Sequence, residues 1–166
     1  MGAVRLVIGA MREHPTRGTI QHIGTRALAN LAYNHSTNAA QVVKWDGIET
    51  VLDAMRNHSD DMLVQEAGCL FIWSCLLTVE NATYITYGFD FMGAPAGGVT
   101  KTNLKIAGRV AELGGVEALV SALRRFGNDT SQEEEGINVG EQGCAALWYL
   151  CEVPGKLREM VKREGG

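Results

Sequence analysis

The segment 93–102 has the residue types of a phosphate-binding loop, so it is the first place to look for chemistry in this chain. It combines glycines with Lys101 and with threonines on either side of that lysine. In a phosphate-binding loop the lysine directly follows the last glycine, a Ser or Thr comes next, and a strand precedes the loop. Here Val99 and Thr100 separate Gly98 from Lys101, and no strand pattern precedes the segment. An enzyme with a nucleotide site in this segment is therefore the weakest of the functional alternatives.

The histidines and cysteines lack the spacing of a catalytic or metal site. These residues are His14, His22, His35, His58, Cys69, Cys75, Cys144 and Cys151. No two cysteines have Cys-x-x-Cys spacing, and no histidine has the spacing of a metal ligand or accompanies a nucleophile. Seven residues of helix separate the last two cysteines by roughly 10.5 Å, too far for a disulfide. We expect core thiols in a reducing compartment, and no catalytic residue, metal or cofactor.

Composition limits the classes of partner. The chain has 166 residues, enough for one domain with a continuous core, and a net charge of −4 with its basic residues spread out. A nucleic-acid surface would need a concentrated basic face. The longest apolar stretch, 68–77, is too short to cross a bilayer and is interrupted by Ser74. We therefore expect a protein of the cytoplasm or nucleus that binds neither nucleic acid nor membrane.

Two sequence patterns recur three times each. The first begins at residues 3, 47 and 115, and the second begins at Gly24, Gly68 and Gly143. The basic period is 44 residues, which is typical of stacked helical repeats. The repeats are about 3–46, 47–114 and 115–166. The second is lengthened by an insertion near 86–105 and the third by one near 127–138, and insertions in repeat proteins go into loops.

Each insertion carries residues with several possible roles. Tyr84, Tyr87, Phe89 and Phe91 lie in or beside the first insertion. This segment either fills a groove or an exposed end, contacts another chain, or is disordered. The acidic run 133–135 in the second insertion is either a solvated loop or a rim that attracts basic partners.

Hydrophobic periodicity predicts three helices in each repeat and an all-α fold. The first pattern places apolar residues at i, i+3, i+4 and i+7, as at Val4, Val7, Ile8 and Met11. The second pattern predicts long helices over 20–33, 63–78 and 139–152, and a short third helix ends each repeat at glycine. A glycine inside each long helix, at one register, indicates that a neighbouring backbone presses there.

With these patterns, the chain resembles the armadillo-repeat family. Residues 114–124 match the motif Gly-Gly-[Val/Ile]-Glu-x-Leu-Val-x-Ala-[Leu/Met]-Arg, and residues 140–150 approximate Gln-x-x-Gly-Cys-x-x-Leu-Trp-[Asn]-Leu. The resemblance implies a right-handed α-solenoid of about three three-helix repeats. Because the chain begins and ends within the repeat pattern, we expect a segment of a longer array or a chain that covers its ends by self-association. The resemblance also implies a concave groove, lined by the long helices, that binds an extended segment of another protein.

The same resemblance names candidate groove residues. The register of the family asparagine falls on Asn30, Ser74 and Tyr149, and one turn earlier lie Arg26, Leu70 and Ala145, with Tyr33 and Gln142 flanking them. Trp73 and Trp148 are expected to pack between helices. The leading hypothesis is a non-catalytic scaffold with a protein or peptide partner. The alternative is a structural spacer or a homo-oligomer that associates through its repeat ends.

Overall fold

The computed structural model describes residues 2–77, 101–129, 131, 138–152, 159, 162 and 163 of the chain. These residues form helices and turns without a strand, which confirms the all-α prediction. The helices in this part of the chain are α1 (Ala3–Glu13), α2 (Gly18–Ala32), α3 (Ser36–Lys44), α4 (Gly47–Asn57), α5 (Met62–Leu76), α6 (Lys101–Glu112), α7 (Gly115–Phe126) and α8 (Val139–Glu152).

The helices pack in rows of equivalent elements. The long helices α2, α5 and α8 form one row, with α5 packed against both of the others. Helices α1, α4 and α7 form a second row, and α3 packs against α6. The core lies between the rows, where the apolar stripes of the amphipathic helices meet the long helices. Val4, Ile8 and Met11 of α1 are buried there, as their spacing predicts.

The glycines within the long helices accommodate side chains, and the predicted contact with a neighbouring backbone is wrong. A Cβ atom at Gly24 would lie 2.7 Å from Cγ of Met11, and one at Gly68 would lie 2.6 Å from Cγ of Met55. At Gly143 it would lie 2.8 Å from Cδ2 of Leu123. A long side chain from the preceding amphipathic helix therefore occupies the space in all three places.

Polar contacts also recur at the 44-residue offset. The amide of Gln21 donates to the carbonyl oxygens of Met11 (3.0 Å) and His14 (2.7 Å). That of Gln65 donates to Met55 (2.8 Å) and His58 (2.9 Å). In both places one buried glutamine donates to two carbonyl groups at the end of an amphipathic helix, where the last carbonyl groups lack the usual partners within the helix.

Arginines at equivalent positions join the rows. Arg12 donates to the carbonyl oxygens of Trp45 and Asp46, each at 3.3 Å, and Arg56 donates to that of Leu113. A cation at the carbonyl end of a helix also interacts favourably with the helix dipole. Hydrogen bonds from an arginine side chain therefore link α1 to the end of α3 and α4 to the end of α6.

The turns into α4 and α7 differ from the prediction of a terminal glycine cap in one detail. The left-handed residue before α7 is Gly114, with φ 76°, but before α4 it is Asp46, with φ 55°. Aspartate tolerates this conformation better than most residues. Gly47 begins α4 and is needed for another reason, because a Cβ there would lie 3.0 Å from side-chain atoms of Ile8 and Val42.

The insertions lie mostly outside the described residues. Helix α6 begins at Lys101, so the last five residues of the range 86–105 are helical. The side chain of Asn103 donates to the carbonyl oxygen of Leu76 and so ties this first turn to the end of α5. The aromatic residues 84–91, the glycine-rich run 93–99 and the acidic run 133–135 are outside the described residues.

Candidate functional site

The predicted groove residues all lie on the row of long helices or at its end, but they differ widely in exposure. Asn30 and Tyr33 are exposed, and Ser74 is only 2% exposed. The others, Arg26, Leu70, Gln142, Ala145 and Tyr149, are half-buried.

The asparagine register does not form a continuous exposed ladder. Ser74 lies on the same stripe of α5 as Ala67 and Phe71, and all three are buried. Asn30 and Ile23, on the corresponding stripe of α2, are exposed. The long helix α2 precedes α5 in the row, whereas no described long helix precedes α2. The exposure of Asn30 therefore reflects its position at the end of the row, and Ser74 is not accessible to a partner.

Arg26 forms an ion pair with a carboxylate that the sequence interpretation missed. Its Nη1 donates to Oε2 of Glu66 at 3.0 Å, and the Glu66 side chain is 2% exposed. Burial raises the pKa of Glu66, and the positive charge of Arg26 opposes that rise. Burial, with Arg26 as a second cause, lowers the pKa of His22. The signal for this pair was a single acidic residue inside the apolar run 63–77.

Aromatic rings meet near the carboxyl ends of the long helices. Tyr33 and Trp73 have ring centroids 6.4 Å apart, tilted by 52°, and Trp148 and Tyr149 have centroids 4.8 Å apart in an edge-to-face arrangement. Burial raises the pKa of Tyr149, and its electrostatic interaction with Tyr33 adds to the rise. The two ring pairs therefore lie at the carboxyl ends of α2 and α5 and of α8, respectively.

These four residues, Tyr33, Trp73, Trp148 and Tyr149, are called the aromatic cluster below. Tyr33 is 54% exposed and Trp148 is 39% exposed, while Trp73 and Tyr149 are half-buried and pack partly against the core. Trp73 thus packs between helices as predicted, but Trp148 presents part of its ring to solvent. The sequence signal was the adjacent Trp-Tyr pair at the end of the last long helix.

The remaining predicted residues border this cluster along the row. Leu70 packs partly against the core. Gln142 has a buried side-chain oxygen that finds no hydrogen-bond partner among the described residues. Together with Arg26 and Ala145, these side chains give the surface a mixed polar and apolar character.

In the described part of the chain, no three His, Cys, Asp or Glu residues are grouped so that they could hold a metal ion. Burial raises the pKa of the Cys69 and Cys75 thiols, and Cys69 also interacts electrostatically with Cys144. A thiol whose pKa is raised by burial is not activated as a nucleophile.

No described helix is both long enough and apolar enough to cross a bilayer. Comparison of the chain with protein-family models, with curated proteins and with solved structures gives no match.

Proposed function

We propose that this chain is a non-catalytic protein-interaction module of the armadillo type. In this proposal, an extended segment of a partner protein binds along the row α2, α5 and α8, with the aromatic cluster at the centre of the contact. The observation that carries the proposal is that aromatic rings form a contact pair at the carboxyl ends of α2 and α5 and another at that of α8, and that one ring of each pair is partly exposed.

The recurring contacts support a repeat architecture, which we propose to be a right-handed solenoid. The glutamine bridges at Gln21 and Gln65 repeat at an offset of 44 residues, and so do the donors of the arginine links, Arg12 and Arg56. Each repeat then buries its apolar face only by stacking on the next, so that equivalent long helices lie side by side. A row of parallel helices offers contacts at regular spacing to an extended chain.

Interface energetics favour the aromatic cluster as the centre of binding. Trp, Tyr and Arg are the residues most often found to dominate binding energy, because they combine large contact area with polar groups. Trp73 and Tyr149 are already fixed by partial burial, so little side-chain freedom is lost when a partner binds. Arg26 donates to Glu66 through Nη1, and its remaining N–H groups can donate to a binding partner.

The buried free thiols bear on where the module works. Cys69 and Cys75 are unpaired and inaccessible. Free thiols are stable in a reducing compartment, which supports the proposal that the protein acts in the cytoplasm or nucleus.

A displayed library of disordered-protein peptides tests the proposed function. We expect peptides that bind the wild-type chain to lose affinity with Tyr33→Ala, and again with Tyr33→Ala combined with Trp148→Ala. Loss of a dominant contact costs about 2 kcal/mol or more, which is roughly 30-fold in Kd. Both side chains are partly exposed, so the fold should survive, and a thermal melt verifies this.

Leu104→Ala is the matched control, since Leu104 is a 41% exposed apolar residue on α6 that is not a member of the aromatic cluster. Its peptide affinities should equal those of the wild type. The proposed function is wrong if no peptide is enriched, or if Leu104→Ala weakens binding as much as Tyr33→Ala does.

A further inference from the structure

The chain carries an exposed apolar surface on the outer side of α1 and α2, called the leading face here. It consists of Leu6 and Ala10 on α1 and of Ile23, Ala27 and Asn30 on α2. Leu6 is 56% exposed and Ile23 is 59% exposed, and Ala10 and Asn30 are also exposed. Two large aliphatic side chains on adjacent helices are therefore in contact with water.

Residues 44 positions later occupy the equivalent places in the next repeat, and their surroundings can be compared with those of the leading face. The counterparts of Leu6 and Ala10 are Thr50 and Ala54, and those of Ile23 and Ala27 are Ala67 and Phe71. All four counterparts are buried. They lie on α4 and α5, which pack against α1 and α2 respectively. Within this chain, the equivalent surface of α4 and α5 is therefore covered by the preceding amphipathic helix α1 and the preceding long helix α2.

Helix α8, at the other end of the row, has an exposed surface that could pack against the leading face. Cys144 on α8 is exposed, yet Thr25 and Cys69 at the same register of α2 and α5 are both buried. Trp148, one turn further on, is 39% exposed, whereas its counterparts Ala29 and Trp73 are buried and half-buried, respectively. Cys144 and Trp148 together are called the trailing face of α8, and Trp148 also belongs to the aromatic cluster. The trailing face matches in register the surfaces that α2 presents to α5 and that α5 presents to α8.

We propose that two copies of this chain associate head to tail, with the trailing face of one copy packed on the leading face of the other. The contact continues the sequence of interfaces already formed between α2 and α5 and between α5 and α8. Because the two faces differ, the interface is heterologous and leaves one face of each kind unoccupied in a dimer. Further copies can then add at either end.

Sedimentation velocity over a range of concentrations tests this association. Wild-type chain should sediment faster as its concentration rises to about 1 mM, where even a contact of about −4 kcal/mol is substantially populated. Ile23→Glu places a charge on the leading face, and Cys144→Glu places one on the trailing face. Each variant alone should stay monomeric at every concentration. Both sites are exposed, so neither variant should unfold the chain.

An equimolar mixture of the two variants is the decisive sample. Each variant retains the face that the other lacks, so the mixture should form a dimer and nothing larger. Leu104→Glu is the control, and it should associate like the wild type. The proposal is overturned if the wild type stays monomeric, which would leave another polypeptide as the cover of the leading face. It is also overturned if Cys144→Glu alone still dimerises, since two leading faces would then be pairing with each other.

Discussion

At the scale of single residues, Glu66 is an acidic side chain buried inside a mostly apolar helix. Its carboxylate is buried on α5 and has one cation, Arg26, within 3.0 Å. Burial holds the pKa of Glu66 above its ordinary value, so the folded chain binds this proton more tightly than the unfolded chain does. The contribution of Glu66 to stability is therefore greatest below about pH 4.3, its ordinary pKa, and is lost as pH rises through the raised value.

We predict that Arg26→Gln lowers the free energy of unfolding at neutral pH by about 1–3 kcal/mol, because it leaves a buried charged group without its partner. The loss should shrink at about pH 4, where Glu66 takes up a proton in both states. Urea unfolding at the two pH values measures the difference. In the double variant with Glu66→Gln the buried charge is absent, so its stability should be close to wild type at both values. An Arg26→Gln effect that does not change with pH would contradict this explanation.

The sequence indicated only part of the candidate site at this scale. Tyr149 could be named from its register and Tyr33 from its flanking position, but the ring contact between Tyr33 and Trp73 depends on side-chain directions that no single helix pattern contains. Ser74 was a candidate for the same reason of register, and packing of its stripe of α5 buries it. Glu66 was missed because an acidic residue in an apolar run gives no information about the arginine 40 residues earlier that compensates its charge.

At the scale of elements, the crossing of each amphipathic helix over its long helix depends on a glycine. Met55 fills the space beside Gly68, and Met11 does the same at Gly24. Glycine in a helix interior costs about 1 kcal/mol relative to alanine. That cost is tolerated here because the absent Cβ lets the core side chain lie directly against the helix.

We predict that Gly68→Ala destabilises the chain by about 1–3 kcal/mol, because the added methyl group displaces the buried Met55 side chain. Gly108→Ala is the matched control in α6, since a Cβ there meets no atom within 4 Å. This control should be neutral or raise stability by up to about 1 kcal/mol through helix propensity. Thermal or urea unfolding of the pair measures both effects. If Gly68→Ala is neutral or stabilising, as Gly108→Ala is expected to be, then the space filled by Met55 does not require glycine at position 68.

The helices themselves were the part of the structure that the sequence specified best. Spacing of apolar residues at i, i+3, i+4 and i+7 identified α1, α4 and α7, since one buried face is a local property of the sequence. The start of α6 at Lys101 was less predictable, because its first turn is fixed by the contact of Asn103 with the end of α5. Asp46 was likewise not recognised as the left-handed residue before α4, since the adjacent Gly47 gave the stronger local signal.

At the scale of the whole molecule, α5 is the element on which the others depend. It packs against α2 on one side and α8 on the other, and it also contacts α4, α6 and α7. Eleven of its fifteen residues are buried. A helix in this position joins the stability of the two ends of the row.

We predict that Phe71→Ala lowers the free energy of unfolding by about 3–5 kcal/mol, the usual cost of removing a fully buried aromatic side chain. Hydrogen exchange followed by mass spectrometry should show faster exchange in α2, α5 and α8 together. In the wild type, the amides of α5 should exchange most slowly of the three. Unchanged protection of α8 in the variant would show that the ends of the row unfold independently.

The unequal environments of the four thiols have a practical consequence for solution work. Cys69 and Cys75 are sealed within the protein, Cys151 is half-covered, and Cys144 alone among them is exposed. Alkylation under mild conditions should therefore direct a fluorophore or spin label to α8 without any engineered cysteine. A reporter attached there would sit beside Trp148, so its signal would respond to whatever approaches that side of the helix.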